Sequence, residues 1–318
     1  LGRYDEAAEH LKRSLSVSLE TGDEAAAARA LNNLGLVHQD RADYGRAMDF
    51  LTRVVRLDER LGKHGEAGYA LGNLATLNLM LGDDAAAALY YERAFSTFSQ
   101  AGEKAMALRA LMGKADALRE GGDPRDAEAV LRGGIENAAR LGDKALMASL
   151  HLSLAKTLLV RGSPPEAHEE LQKALALETH MRDSYERVSM RLLLAEASAA
   201  LGDHEAALVH ARAGLNAARL LDAPELVWSA HETLAGSEDV RGRAHAAQKH
   251  LQEAVAVIEG VRGALKTEQR SGFLGVRLLP IRASWNCFSG KARGRNPVPP
   301  PRPRTGSGRA GPFRSRKK

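Results

Sequence analysis

This 318-residue chain has few aromatic residues, 4% in all, and a single cysteine, Cys287. One cysteine excludes a disulfide framework and any CxxC metal or redox pair. Long apolar runs are missing too: none approaches 18 residues, so no segment reads as a membrane-crossing helix. No secretory leader pattern is visible, and the expected location is the cytoplasm. Alternating strand patterns are lacking, and no GxxxxGK[ST] or GxGxxG string follows a strand and precedes a helix, as a phosphate loop requires. The nearest approach to a metalloprotease signature, His231-Glu232-Thr233-Leu234-Ala235, has no second histidine. These absences leave no catalytic class with support, and the expectation is a non-enzyme with no cofactor and no metal.

What the chain does have is a period. Alanine stands at positions 7, 47, 87, 127, 167, 207 and 247, and five residues before each comes a small residue or turn former: Gly2, Ala42, Gly82, Gly122, Gly162, Gly202, Gly242. A fixed 40-residue period over most of a chain is the mark of a solenoid. Each unit divides into two helical stretches, as in Glu24 to Arg41 with Leu31, Leu34 and Val37, then Tyr44 to Leu61 with Ala47, Leu51, Val54 and Val55. Gly-Asp pairs (Gly82-Asp83, Gly122-Asp123, Gly202-Asp203) read as a helix stop followed by a cap for the next helix. Further glycines at 22, 62, 102 and 142 separate the units, while Arg182 and Leu221-Asp222 stand where later ones would fall. Turns this short make consecutive helices antiparallel.

Columns of the repeat sort by size. Leu34, Leu74, Leu154, Leu194 and Leu234 share one; beside it run Gly35, Ala75, Ala115, Ala155, Ala195 and Ala235. In the second helix the Ala7 column lies four residues before Leu11, Leu51, Tyr91, Leu131, Leu171 and Leu251. A large residue next to a small one suits helices that approach closely. The predicted fold is all-α, a solenoid of antiparallel helix pairs over residues 1–263: an orphan helix at 4–20, then six pairs.

Leu34-Gly35 followed by Asp43-Tyr44-Gly45-Arg46-Ala47, and Gly2-Arg3-Tyr4-Asp5-Glu6-Ala7, resemble the tetratricopeptide repeat family in a 40-residue variant. Pro124, Pro164 and His204 depart from its aromatic position. The resemblance implies a right-handed superhelix whose first helices line a concave groove that holds a segment of another protein. Under that implication, groove residues recur every 40 positions. The polar candidates are Arg29, Asn33, Asn73, Arg109 and Lys156; Met80, Met112 and Leu159 are the apolar ones, and with Leu152 and Leu192 they would suit an amphipathic helix. Asparagine offers donors and an acceptor to a peptide unit. An alternative of equal weight has the asparagines capping or bridging helices and the methionines filling gaps. Asn73 and Arg109 also match part of the family's carboxylate clamp, whereas Asn32, Leu36 and Gly113 do not, which argues against a chaperone-tail receptor.

The ends differ from the body. The chain opens on a second helix without its partner, so a fragment of a longer protein is expected. Residues 264–275 are expected to be a helical exit. From 276 to 318 there are twelve Lys or Arg, no acid and seven of the eleven prolines, against 33 basic and 40 acidic residues before it. Such a segment cannot bury a core and reads as disordered. It fits an out-of-frame reading past Gly275 best, then a solvated tail, then an arm for nucleic acid. Val257 to Leu274 is similar to the helix that links such repeats to a caspase-like CHAT domain in bacterial proteins, which implies a sensor arm of a truncated signalling enzyme; a cyclase or a transcription activator is the other effector implied. His210 and His250, one period apart, lie on helices about 10 Å apart, too far to share a metal. No membrane partner is expected.

Overall fold

The computed structural model describes residues 2–41, 43–180 and 184–264, and the chain divides into a unit Leu1–Ile258 and a unit Glu259–Lys318. The expected tail at 276–318, the exit beyond Ala264, Arg182 and Cys287 lie outside the described residues. The helices run α1 Gly2–Glu20, α2 Glu24–Asp40, α3 Tyr44–Arg60, α4 His64–Leu81, α5 Asp84–Gln100, α6 Lys104–Glu120, α7 Pro124–Leu141, α8 Lys144–Val160, α9 Pro164–Ala176, α10 Ser184–Ala200, α11 His204–Leu220, α12 Pro224–Val240 and α13 Ala244–Ala264. Among the described residues there is no strand, and none of these helices is long and apolar enough to cross a membrane. Of the second unit, residues 259–264 are helical.

Local chemistry sets the boundaries. Asp23, Asp83, Asp143 and Asp203 each accept the main-chain N–H three residues on, at 2.8–3.0 Å, and so satisfy a donor that the helix start leaves open. The stops use left-handed backbone, as at Gly62 and Gly82. Where the glycine is missing, Asp222 takes the same conformation with φ 50°, at the strain cost of a side chain there. Proline opens α7, α9 and α12, where its missing N–H costs nothing. The period is least regular after α9, which stops at Ala176 and gives way to a 3₁₀ turn, Glu178–His180.

Packing follows the columns. Ala47, Ala87, Ala127, Ala167, Ala207 and Ala247 are all fully buried, and a Cβ on Gly35, Gly113 or Gly214 would meet Leu51, Tyr91 or Leu192 within 3 Å. The core is therefore a chain of overlapping clusters: Ala27 to Ala110, Leu108 to Ala197, and Val188 to Leu234. Each unit leans only on its neighbours. One column departs from its rule: Lys114 stands in line with the buried leucines and is half-buried, its amine 2.6 Å from Glu92.

Candidate functional site

In Leu1–Ile258 the first helix of each pair faces its counterpart in the next. From α6 onward these helices touch directly, α6 on α8, α8 on α10 and α10 on α12, whereas among the described residues no two second helices are in comparable contact. Helices that close up on one side and spread on the other place the first helices on the inner face. At α2 and α4 the closure is incomplete, and a cavity of about 350 Å³ opens between them. Arg29, Asn32 and Asn33 of α2 form one wall and Glu66 and Tyr69 of α4 the other; Val54 and Asp58 of α3 are the floor, and Lys63 is at the α3–α4 turn.

The predicted residues separate into groups. Arg29 and Asn33 share this cavity, while Asn73, Arg109 and Lys156 are outside its lining. None of these five side chains has a hydrogen bond or ion pair with another described residue, so the asparagines neither cap nor bridge helices. Arg29, Asn33 and Arg109 are exposed and Asn73 is half-buried. Met80 is 52% exposed and accepts a long contact from Gln39 at 3.8 Å; Met112 and Leu159 instead pack on the middle core cluster. Leu152 and Leu192 are buried outright and belong to the middle and last core clusters.

Charge is organised along the inner face. In the middle, Arg119 holds Asp116 at 2.5 Å and Glu120 at 2.9 Å, and the Ser153 hydroxyl donates to Asp116 at 3.3 Å. Ser149 donates to Glu186 at 2.8 Å. Between these groups the Lys156 amine is held below its usual range by burial, with Asp116 opposing. Toward the far end, burial and the Glu196 charge push Glu232 up to about 7. Its neighbour His231 is buried against the opposite side, 3.1 Å from His250, and burial, His250 and Arg219 bring it down to about 4. His210 takes no part in this pair. Among the described residues no group of three or more His, Cys, Asp or Glu is arranged to hold a metal.

Sequence reasoning passes over Asp58. It is 2% exposed; its main-chain carbonyl accepts the Lys63 N–H at 2.8 Å, but its carboxylate has no hydrogen bond or ion pair among the described residues. Burial raises its pKa, Glu66 raises it further and Lys63 pulls it back.

Comparison with known proteins agrees with this architecture. Models of the tetratricopeptide repeat match residues 1–60 and 152–223. No curated protein sequence matches the chain. Among solved structures, the apo form of RapI is similar at 14% identity and a TM-score of 0.63, covering 84% of this chain and 97% of its own. The Rap conjugation gene regulator of plasmid pLS20, solved with the Phr* peptide, gives 13% identity and a TM-score of 0.57, with 86% and 78% covered. A signal transduction ATPase with numerous domains from Pyrococcus horikoshii, which has a tetratricopeptide repeat sensor, gives 14% identity and a TM-score of 0.58, covering 92% of this chain and 50% of its own. Both matched segments fall within the 40-residue period of helix pairs, and the chain carries tetratricopeptide repeats there.

Proposed function

We propose that the chain is a protein-interaction scaffold, working in the cytoplasm, whose inner face holds a peptide or an amphipathic helix of a partner protein, with no chemistry of its own. The observation that carries this is the set of partnerless polar side chains along the first helices: Arg29, Asn33, Asn73, Arg109 and Lys156. Other surface charges of the array are paired within it, as Arg41 is with Asp5 and Arg132 with Glu128. Side chains left free on an inner face meet a guest's backbone amides and carboxylates without first breaking an internal contact, which lowers the cost of binding. Met80 adds an exposed apolar contact on the same run of helices. That a Rap protein of similar fold was solved with a peptide supports the same class of partner.

A peptide library panned on the intact chain tests the reading. Enriched sequences should lose about thirtyfold in affinity for Asn33→Ala/Asn73→Ala, the loss expected from about 1 kcal/mol per amide. Enrichment that survives this double change unaltered, or no enrichment at all, overturns it.

A second reading is a regulatory arm of a larger signalling enzyme. It is favoured by the ATPase, whose repeat sensor is part of a chain twice the length that the match spans. A CHAT-type peptidase, a cyclase or a transcription activator would be the effector. Sequencing the locus beyond residue 275 in all frames tests it, and a stop with no effector domain in any frame overturns it.

A further inference from the structure

At the floor of the α2–α4 cavity the array departs from its own rule. The positions one period apart in this column are Ser18, Asp58, Phe98, Ala138, Glu178, Ala218 and Ile258. Phe98, Ala138, Ala218 and Ile258 are apolar and buried. The two other polar members are satisfied where they stand: the Ser18 hydroxyl donates to the Ser14 carbonyl at 2.8 Å, and both Glu178 oxygens accept from Arg191 at 2.8 Å. Asp58 is 2% exposed, has no such partner among the described residues, and lines the cavity.

Phe98 shows the same place when it is filled. Its ring packs edge-on against Tyr69 with centroids 5.0 Å apart, and lies where a Cβ on Gly68 would meet it at 2.8 Å. One unit earlier the shorter Asp58 leaves that volume open, and the open volume is the cavity. A buried carboxylate with no partner is a cost that an alanine or phenylalanine would avoid. Folding alone therefore gives no reason for the acid. Arg29 and Lys63 line the same cavity, yet neither is within ion-pair distance of it.

We infer that this cavity is a specificity pocket for a lysine or arginine side chain of the bound segment, with Asp58 as the acceptor at its floor. A cationic guest gives the carboxylate charge-assisted hydrogen bonds in a place shielded from water, where such bonds are strongest. The amide oxygens of Asn32 and Asn33 accept its remaining N–H groups, and the Tyr69 ring lies against its alkyl stem or its charge. Arg29, exposed at the mouth, is left to meet the guest's carbonyls. The inference rests on the peptide reading of the inner face and adds to it the kind of residue that must sit between α2 and α4.

The test uses small probes on the full chain, followed by protein-observed NMR: Nα-acetyl-lysine N-methylamide, and the norleucine analogue that keeps the shape and lacks the charge. The lysine probe is expected to shift resonances of α2–α4 with a Kd on the order of 1 mM, and the norleucine probe to bind about tenfold more weakly. Asp58→Asn should abolish that difference while its spectrum stays that of the native fold; Asp58→Glu should keep a preference for the cation. Equal binding of the two probes, shifts that map away from α2–α4, or an unaltered preference in Asp58→Asn overturns the pocket. Because the probes report the pocket alone, their failure leaves the peptide reading standing, and failure of the library experiment with a working pocket does the reverse.

Discussion

The two ends of the inner face share one backbone plan and carry opposite chemistry. Between α2 and α4 the wall is open, bears Arg29 and two asparagines, and has a partnerless acid beneath it. Between α10 and α12 the wall is closed, Ser189 and Ser229 replace the arginine in its column, and Glu196 and Glu232 crowd each other. The fold tolerates both because the Ala47 and Leu34 columns, which hold helix to helix, are the same at each end. Stability thus resides in the buried columns, and the difference between the ends in the columns beside them.

The strongest way to break the comparison is to ask whether the ends are separable at all. Leu74→Ala and Leu234→Ala each empty a side chain that is at most 1% exposed, and each should cost about 3 kcal/mol. With only neighbouring units in contact, hydrogen exchange should rise around α3–α6 in the first variant and around α10–α12 in the second. A uniform rise along the whole array would erase the distinction between ends.

Next in size is a pH effect confined to the far end. The Glu232 carboxyl titrates at about 7 in the folded chain against an ordinary 4.5, so the protonated form is the one the fold favours. Its contribution is complete below 4.5 and is lost as pH rises through 7. Glu232→Gln removes the loss: at pH ~8 the variant should be more stable than the native chain by about 2 kcal/mol, and at pH ~4 the two should melt together. A gap that is the same at both pH values would show that Glu232 is ionised throughout.

Smallest is the near end's counterpart. Asp58→Leu, the apolar choice made elsewhere in the column, should raise stability by about 1 kcal/mol in denaturant melts. A fall instead would mean that the carboxylate is satisfied within the fold, and the near end would lose its distinguishing feature.

Much of this was legible in the chain, and the rest was hidden for identifiable reasons. The period, the two helices per unit and the capping aspartates follow from spacing and turn chemistry, which are local. Asp222 shows the limit: its left-handed turn was visible only as a missing glycine, because which residue will accept that strain depends on what surrounds it. The inner-face residues were readable as columns, but their exposure was not, and Leu152 and Leu192 turned inward while Met80 remained outside. Asp58 could have been found by the same column test, as an acid in a mostly apolar register; Lys114 among the leucines carries the same signal. What no column reveals is whether a partner is near enough to satisfy such a residue, as Glu92 is for Lys114 and as nothing described is for Asp58.

The repeated alanine contact has an evolutionary corollary. Since every junction between units uses the same buried surface, a stretch of forty residues can be copied or deleted in a gene without designing a new joint. Growth by whole modules keeps all surviving side chains on their original faces, whereas gain or loss of a single residue within a helix turns everything after it by about 100°. Copying Glu24 to Lys63 would place a second acid-floored recess one step along the array, so the number of recognition positions could change faster than the architecture that carries them.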